Sequence, residues 1–321
     1  MHRFFIPPEL LTNLATASNA TISPSQESSR NVVAPLAGAR EEPAPANVVA
    51  PARGARPDLP QNILLPKGLA HQVRDVLRLN IGEHMLLLDN SGDEILATVA
   101  RTSKTSVEVH LLERRPGKSE PAVRIILCQG LLKSARFEWI LEKGTELGVS
   151  TFAPILCRRS IAGLEDAGPA KIQRWQRIIQ EAAEQSGRSR LPELLPIRPL
   201  NHALNDIPPG ALGIMPWEEE HSLTLHDVLN APGNVGATLA VARPAPAHPT
   251  LAQSTSAPST FTHPPTIILF IGPEGGLVPE EVALAQQHGV QVVSLGSRIL
   301  RAETAALAAV ANVIYELEHS D

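Results

Sequence analysis

The chain has 321 residues, 43% of them hydrophobic but only 3% aromatic, with a formal net charge of −5. Such a length accommodates two aliphatic cores. No stretch of eighteen apolar residues exists, which excludes a membrane-spanning helix, and the start Met1-His-Arg-Phe-Phe-Ile lacks the apolar run of a signal peptide, so a cytoplasmic location is expected. The acidic total argues against a nucleic-acid partner only until it is divided. Residues 122–200 carry twelve basic and eight acidic side chains, whereas 201–265 carry one against five and 266–321 two against seven. A local basic patch binds phosphates even in an acidic chain, because charges beyond about 10 Å are screened at ordinary salt. The same excess equally suits a solvated helix face.

In chain order, Arg3-Phe-Phe-Ile6 reads as a short strand. Residues 17–60 are rich in Ala, Pro and Ser and contain a near-duplicate, Asn31–Arg40 and Asn47–Arg56; residues 243–265 are similar in kind. The two stretches hold thirteen of the 29 prolines in 67 residues. Proline at that density blocks helices and ladders, so both are expected to be disordered insertions. Residues 62–115 read as β-rich. A short helix is predicted over Leu69–Leu79 with Val73, Val76 and Leu77 inward, then two strands around the Asn90-Ser-Gly-Asp93 turn, then alternating Ser106–Leu112. This is a small barrel-like module that the N-terminal strand can join.

From Val123 strands and helices alternate. Val123–Cys128 and Thr151–Leu156 read as strands, with further strands at about 211–216, 237–242, 267–271 and 291–295. Helices are predicted over Ala135–Leu147 (Phe137, Ile140 and Leu141 on one face), over Lys171–Gln185 (Ile172, Trp175, Ile178, Ile179 and Ala182 inward), from Pro279 to Gly289, and over 303–318. The alternation predicts an α/β domain with a mostly parallel sheet covered on both faces. Cys128 and Cys157 sit in strand-like runs and read as buried free thiols; nothing has the spacing of a metal site, and none is expected.

Two strands near the C-terminus stop at glycine. Ile267–Ile271 breaks into Gly272-Pro-Glu-Gly-Gly276, and Val292-Val-Ser-Leu295-Gly296 precedes Arg301-Ala-Glu303 at a helix start. Ligands of α/β proteins bind at the carboxyl ends of strands. The glycines of the first segment serve a tight strand-to-helix turn equally well. The chain has no GxxxxGK and no GxGxxG after a strand, which disfavours nucleotide loops of those types. Upstream, Glu184-Gln-Ser-Gly-Arg188-Ser-Arg190 ends a helix. A C-cap with dipole-compensating arginines accounts for Gly187 and one arginine; two arginines on an exposed turn also suit phosphate contacts.

Taken together, Glu142-Lys-Gly-Thr-Glu-Leu-Gly-Val149, Glu184–Arg190, Ile271-Gly-Pro-Glu-Gly-Gly276 and Leu295-Gly-Ser-Arg-Ile-Leu-Arg-Ala-Glu-Thr-Ala305 closely resemble the RsmE family, the 16S ribosomal RNA uracil-N3 methyltransferases of the SPOUT superfamily. Arg3-Phe-Phe-Ile6 and His71–Arg78 resemble that family's PUA-like RNA-binding domain. The resemblance covers about 1–16, 57–242 and 266–321. It implies a small PUA-like β-barrel over 1–121, interrupted at 17–60, and a SPOUT-type trefoil-knotted α/β methyltransferase domain over 122–321, interrupted at 243–265. It implies S-adenosylmethionine as cofactor, 16S rRNA in the small ribosomal subunit as partner, and a homodimer. By position, Gly272, Pro273, Glu274, Gly275, Gly276, Leu295, Gly296, Ile299, Leu300 and Arg301 would hold the cofactor. Arg301 and Glu303 would be catalytic, and Arg3, Arg136, Arg188 and Arg190 would contact RNA. Two rivals are a SPOUT enzyme acting on a transfer RNA ribose 2′-hydroxyl and a non-enzymatic RNA-binding protein.

Overall fold

The structure, a computed structural model, describes residues 1–11, 62–161, 163, 168–231 and 265–318. The stretches 17–60 and 243–264, and the strand expected at 237–242, lie outside the described residues. The chain divides into two compact units, one of residues 7–84 and 96–114, the other of residues 1–6, 85–95 and 115–321.

A five-stranded sheet runs in the order β1 (Arg3–Phe5), β3 (His84–Leu88), β4 (Asp93–Thr102), β5 (Val107–Pro116), β2 (Asn62–Leu64). The N-terminal strand does join it, parallel to β3 with Arg3 opposite Leu86. β2 pairs antiparallel with β5, Ile63 opposite Val109. In the smaller unit Ile63, Ala97, Val99, Val107 and Val109 are buried at period two, as half-buried strands require. The expected helix begins as α1 (Lys67–His71) but continues as a π-type turn over Gln72–Val76, where Leu77 N–H reaches Gln72 O at 2.9 Å. The wider turn changes the phase of the faces: Val73 is buried as expected, whereas Val76 is 64% exposed instead of inward.

The larger unit carries seven parallel strands: β6 (Arg124–Gly130), β7 (Thr151–Leu156), β8 (Glu193–Leu194), β9 (Arg198–Pro199), β10 (Leu212–Pro216), β11 (Thr266–Ile271) and β12 (Gln291–Val293). Their order is β12-β10-β11-β6-β7-β8, with β9 also against β7. β11 therefore inserts between β6 and β10, with Ile267 opposite Ile125 on one side and Leu212 on the other.

A parallel sheet buries both faces, and consecutive residues of each strand point to opposite ones. Ile125, Leu127, Ile214, Ile267, Leu269, Ile271 and Val293 pack with α2 (Ser134–Glu146), α3 (Pro169–Ser186), α5 (Leu225–Asn230) and α7 (Ala302–Glu318), around Phe137, Trp175 and Val310. The alternate residues Cys128, Met215, Ile268, Phe270 and Val292 pack with α4 (Leu200–Asn205) and α6 (Pro279–Gln287). Both cysteines are free and buried in that second layer, and burial pushes the Cys128 thiol up to about 12.

The helix ends follow from local chemistry. α3 starts on Pro169 and stops at Gly187, whose φ of +80° is the left-handed C-cap conformation. α6 starts on Pro279, with the Glu281 carboxylate accepting from Val278 N–H at 3.1 Å. α5 has a full capping box between Thr224 and Asp227. Among the described residues no helix is long and apolar enough to cross a membrane.

Candidate active site

The neighbouring strands β11, β10 and β12 end side by side, so three loops meet at the carboxyl edge of the sheet: 272–276, 217–221 and 294–301. Between the last two lies a cavity of about 390 Å³. One wall is Pro216, Trp217, Glu218 and His221; the other is the segment from Ser294 to Leu300, backed by Ala305. The volume falls within the roughly 300–1,000 Å³ of small-molecule sites.

Hydrogen bonds fix both walls. Trp217 N–H donates to Val293 O at 3.0 Å and Ser294 N–H to Leu223 O at 2.8 Å. Gly296 N–H donates to Ser294 Oγ at 3.2 Å, and Gly296 sits at φ +108°, a conformation that a side chain resists. The 217–223 turn is drawn together by Glu220, whose carboxylate accepts from Ser222 Oγ (2.5 Å), Ser222 N–H (2.7 Å) and Leu223 N–H (3.1 Å). Those bonds, the Ser222 hydroxyl first, lower its pKa to about 2.

The first glycine segment lies beside this cavity. A Cβ on Gly276, at φ +73°, would stand 2.7 Å from Glu218 Oε1, the carboxylate of a wall residue. Arg159 Nη1 donates to Gly275 O at 3.0 Å, and Gln129 Nε2 donates to Gly272 O at 3.3 Å. Gly130, at the end of β6, is packed so closely that a Cβ there would lie 2.5 Å from Pro273 N.

The predicted cofactor residues therefore separate into two groups. Leu295, Gly296, Ile299 and Leu300 line the cavity, Ile299 with 87% exposure, while Gly272, Pro273, Glu274, Gly275 and Gly276 form the adjoining loop behind Glu218; Arg301 follows the lining segment without being part of it. The 216–221 wall went unread in the sequence because no glycine or motif marks the end of β10. Gly130 was missed too, although it ends the Val123–Cys128 strand.

Arg301 and Glu303 have opposite environments. Arg301 is exposed and makes no ion pair among the described residues. The Glu303 side chain is 12% exposed; its Oε1 lies 3.6 Å from Arg136 Nε, and its buried Oε2 has no hydrogen-bond partner among the described residues. Arg136 also places Nη1 at 2.9 Å from Glu274 Oε1. One guanidinium thus joins the loop after β11 to the start of α7.

The structure corrects the reading of Arg188. It is 3% exposed, donating through Nη1 to Val149 O (2.5 Å) and Thr145 O (3.2 Å) and through Nη2 to Glu120 (2.8 Å). The other oxygen of Glu120 accepts from Ser189 and Arg190 N–H. The Gly187 turn folds inward, so Arg188 fastens the 115–121 segment to α2 and α3 and does not face solvent. Arg3 is paired with the buried Glu94 at 3.3 Å. Arg190 is exposed. Elsewhere in the basic segment Arg174 pairs with Glu138 and Lys143 with Glu142 and Glu146.

Residues 118–314 match the family model of the RNA methyltransferase domain. The chain is 30% identical over 251 residues to the ribosomal RNA small subunit methyltransferase E of Bacillus subtilis, covering 78% of this chain and 88% of that one. It is 31% identical to the protein of the same name from Synechocystis, covering 80% and 74%. Among solved structures it resembles the ribosomal RNA small subunit methyltransferase E of Neisseria gonorrhoeae bound to S-adenosyl methionine, with TM-score 0.63 and 29% identity over 78% of this chain and 90% of that one. A Legionella pneumophila protein in complex with SAM matches equally well, with TM-score 0.63 and 29% identity over 79% and 91%.

Proposed function

From the premise that this chain belongs to the RNA methyltransferase family, and within it to the ribosomal RNA small subunit methyltransferases E, we propose that it methylates N3 of a uridine in 16S rRNA of the small ribosomal subunit, using S-adenosylmethionine. The observation that carries this reading is the cavity at the carboxyl ends of β10 and β12, in a chain whose structural relatives hold that cofactor.

The residues present fit the cofactor. Gly276 and Gly296 at positive φ keep side chains out of the approach, leaving backbone groups to recognise a polar edge, and Leu295, Ile299 and Leu300 offer apolar surface. When bound, the cofactor supplies an electrophilic methyl on a sulfonium. The remaining work falls to the protein. Uracil N3 carries a proton and is a poor nucleophile until that proton leaves. Glu303, shielded at the start of α7 with one oxygen unpartnered among the described residues, is the group that takes it; the exposed Arg301, two residues earlier, stabilises the negative charge that develops on the uracil. Holding base and methyl in line supplies much of the rate.

The finer architecture belongs to the same proposal. α7 follows the 294–301 loop at edge strand β12 and packs back on β6, β11, α2 and α5, a return path that supports a trefoil knot. A homodimer with its interface near the site belongs to the same proposal, and exposed Trp139 on α2, Tyr315 on α7 and Ile299 at the cavity are candidate contacts for it. The five-stranded sheet serves as the PUA-like RNA-binding module, with Arg190 as a phosphate contact, and the enzyme works in the cytoplasm.

The test is methylation of 30S subunits lacking the modification, read by mass spectrometry of nucleosides. The reading requires 3-methyluridine from the wild type and little from Arg301→Ala or Glu303→Gln variants that still bind cofactor. A ribose-methylated nucleoside as product would overturn the N3 assignment, and near-normal turnover of either variant would remove that residue from the chemistry.

A further inference from the structure

We propose that Arg136 is a positioning residue for methyl transfer, holding Glu303 and the 272–276 loop in one fixed relation instead of contacting RNA. The proposal rests on the reading above, in which Glu303 accepts the N3 proton.

Two different nitrogens of the guanidinium reach two carboxylates from distant parts of the sequence, Nη1 to Glu274 at 2.9 Å and Nε to Glu303 at 3.6 Å. The two acidic side chains are only 20% and 12% exposed. Two such carboxylates repel each other unless a shared cation stands between them. The contact to Glu274 is a hydrogen bond and that to Glu303 an ion pair; the planar fork of arginine presents separate nitrogens to the two carboxylates at once, which a lysine, a point charge on a flexible stem, does not.

The geometry also decides what Arg136 holds. Its own element, α2, is anchored in the core through Phe137, Ile140 and Leu141, so the guanidinium is carried by a rigid helix. Glu274 belongs to the loop that is buttressed by Gly130 and Gln129 from β6 and by Arg159. Glu303 opens α7 directly after the cavity-lining segment. The Arg136 side chain is 42% exposed, but with two shielded carboxylates already beside it the guanidinium carries little net charge to offer a phosphate. It is well placed to keep the base aimed while the neighbouring loop accommodates cofactor and RNA.

The experiment compares full-length wild type, Arg136→Ala, Arg136→Lys and Glu303→Gln in steady-state methylation of 30S subunits, with cofactor affinity by calorimetry and melting temperature recorded for each. Arg136→Ala is expected to lower kcat by on the order of 10–100-fold, the scale of a misplaced catalytic group, with KM for the subunit and its salt dependence unchanged. Arg136→Lys should recover part of kcat, because the charge survives without the fork. A raised KM with normal kcat and a shallower salt dependence would overturn the proposal and make Arg136 an RNA contact. A loss of kcat that merely tracks a collapsed melting temperature, without rescue by lysine, would overturn it as a scaffold effect. If Glu303→Gln is inactive while Arg136→Ala is normal, the positioning role fails and the base assignment stands. If Glu303→Gln is fully active, the base assignment itself fails.

Discussion

Arg188→Met tests the inward fold of the Gly187 turn. The substitution keeps the bulk of the side chain and removes every donor. It strands the carbonyl of Val149, removes one of two donors from Thr145 O, which keeps Gly148 N–H at 3.1 Å, and leaves Glu120, 22% exposed, without the guanidinium 2.8 Å away. Three charge-assisted bonds at about 1.5–3 kcal/mol each would sum higher, but such terms are not additive, and Glu120 keeps the N–H groups of Ser189 and Arg190. Removing one partner of a buried pair costs about 3–5 kcal/mol, which is the expected loss. At about 2–4 °C per kcal/mol for a unit of this size, the melting temperature falls by roughly 6–20 °C. Urea unfolding followed by circular dichroism, with a parallel thermal melt, measures it. Arg188→Lys should recover only part, because an ammonium cannot span the two carbonyls and Glu120 in one plane. A stability loss under about 1 kcal/mol, together with weaker RNA binding and a salt slope shallower by about one, would show that Arg188 is a phosphate contact after all.

Two further outcomes follow from particular contacts. Gly130→Ala places a methyl 2.5 Å from Pro273 N and 2.7 Å from Gly272 C, both backbone, so the 272–276 loop must shift. At about 1–3 kcal/mol of overpacking, S-adenosylmethionine affinity should drop roughly 5–150-fold with the far-ultraviolet spectrum unchanged; wild-type affinity by calorimetry would refute a role for that loop in cofactor binding. The exposed pair His226–Glu316 (3.0 Å) joins α5 to α7. Its hydrogen bond to Glu316 raises the His226 pKa above 6.5 and lowers that of Glu316 below 4.5. A raised histidine contributes fully below 6.5 and loses its contribution as pH climbs through the folded value; a lowered carboxylate contributes above 4.5 and loses it as pH falls through its own. The clip should therefore be strongest between about 4.5 and 6.5. An NMR titration of His226 checks this: its midpoint should lie above 6.5 and return there in Glu316→Gln, and an unchanged midpoint would sink the pairing.

How far the sequence could be read differs from element to element. Helices α2, α3 and α7 were legible to within one or two residues, because Phe137, Trp175 and Val310 recur with their neighbours at helical spacing and Gly187 marks a stop. The glycine-ended strands were legible because few residues besides glycine accept the backbone at Gly276 and Gly296. The wall at 217–221 was not, since Glu220 organises it through contacts that no local pattern announces. The exposed Val76 followed from a switch to a π-type turn that periodicity does not foresee.

Local patterning settled the longer strands and helices, most of their apolar faces, and that two strands end in glycine; the short α4, α5, β8 and β9 carry no such mark. These are properties of neighbouring residues, governed by backbone sterics and by the 2.0 and 3.6 periods of side-chain direction. The insertion of β11 between β6 and β10, the burial of Arg188, and the bridging of Glu274 and Glu303 by Arg136 belong to the folded molecule alone. Pairing between strands far apart in the chain depends on which loop closures and which two-sided burial the whole chain can satisfy at once. An arginine looks the same in sequence whether it faces phosphate or holds two carboxylates. Only packing decides which charges are desolvated together.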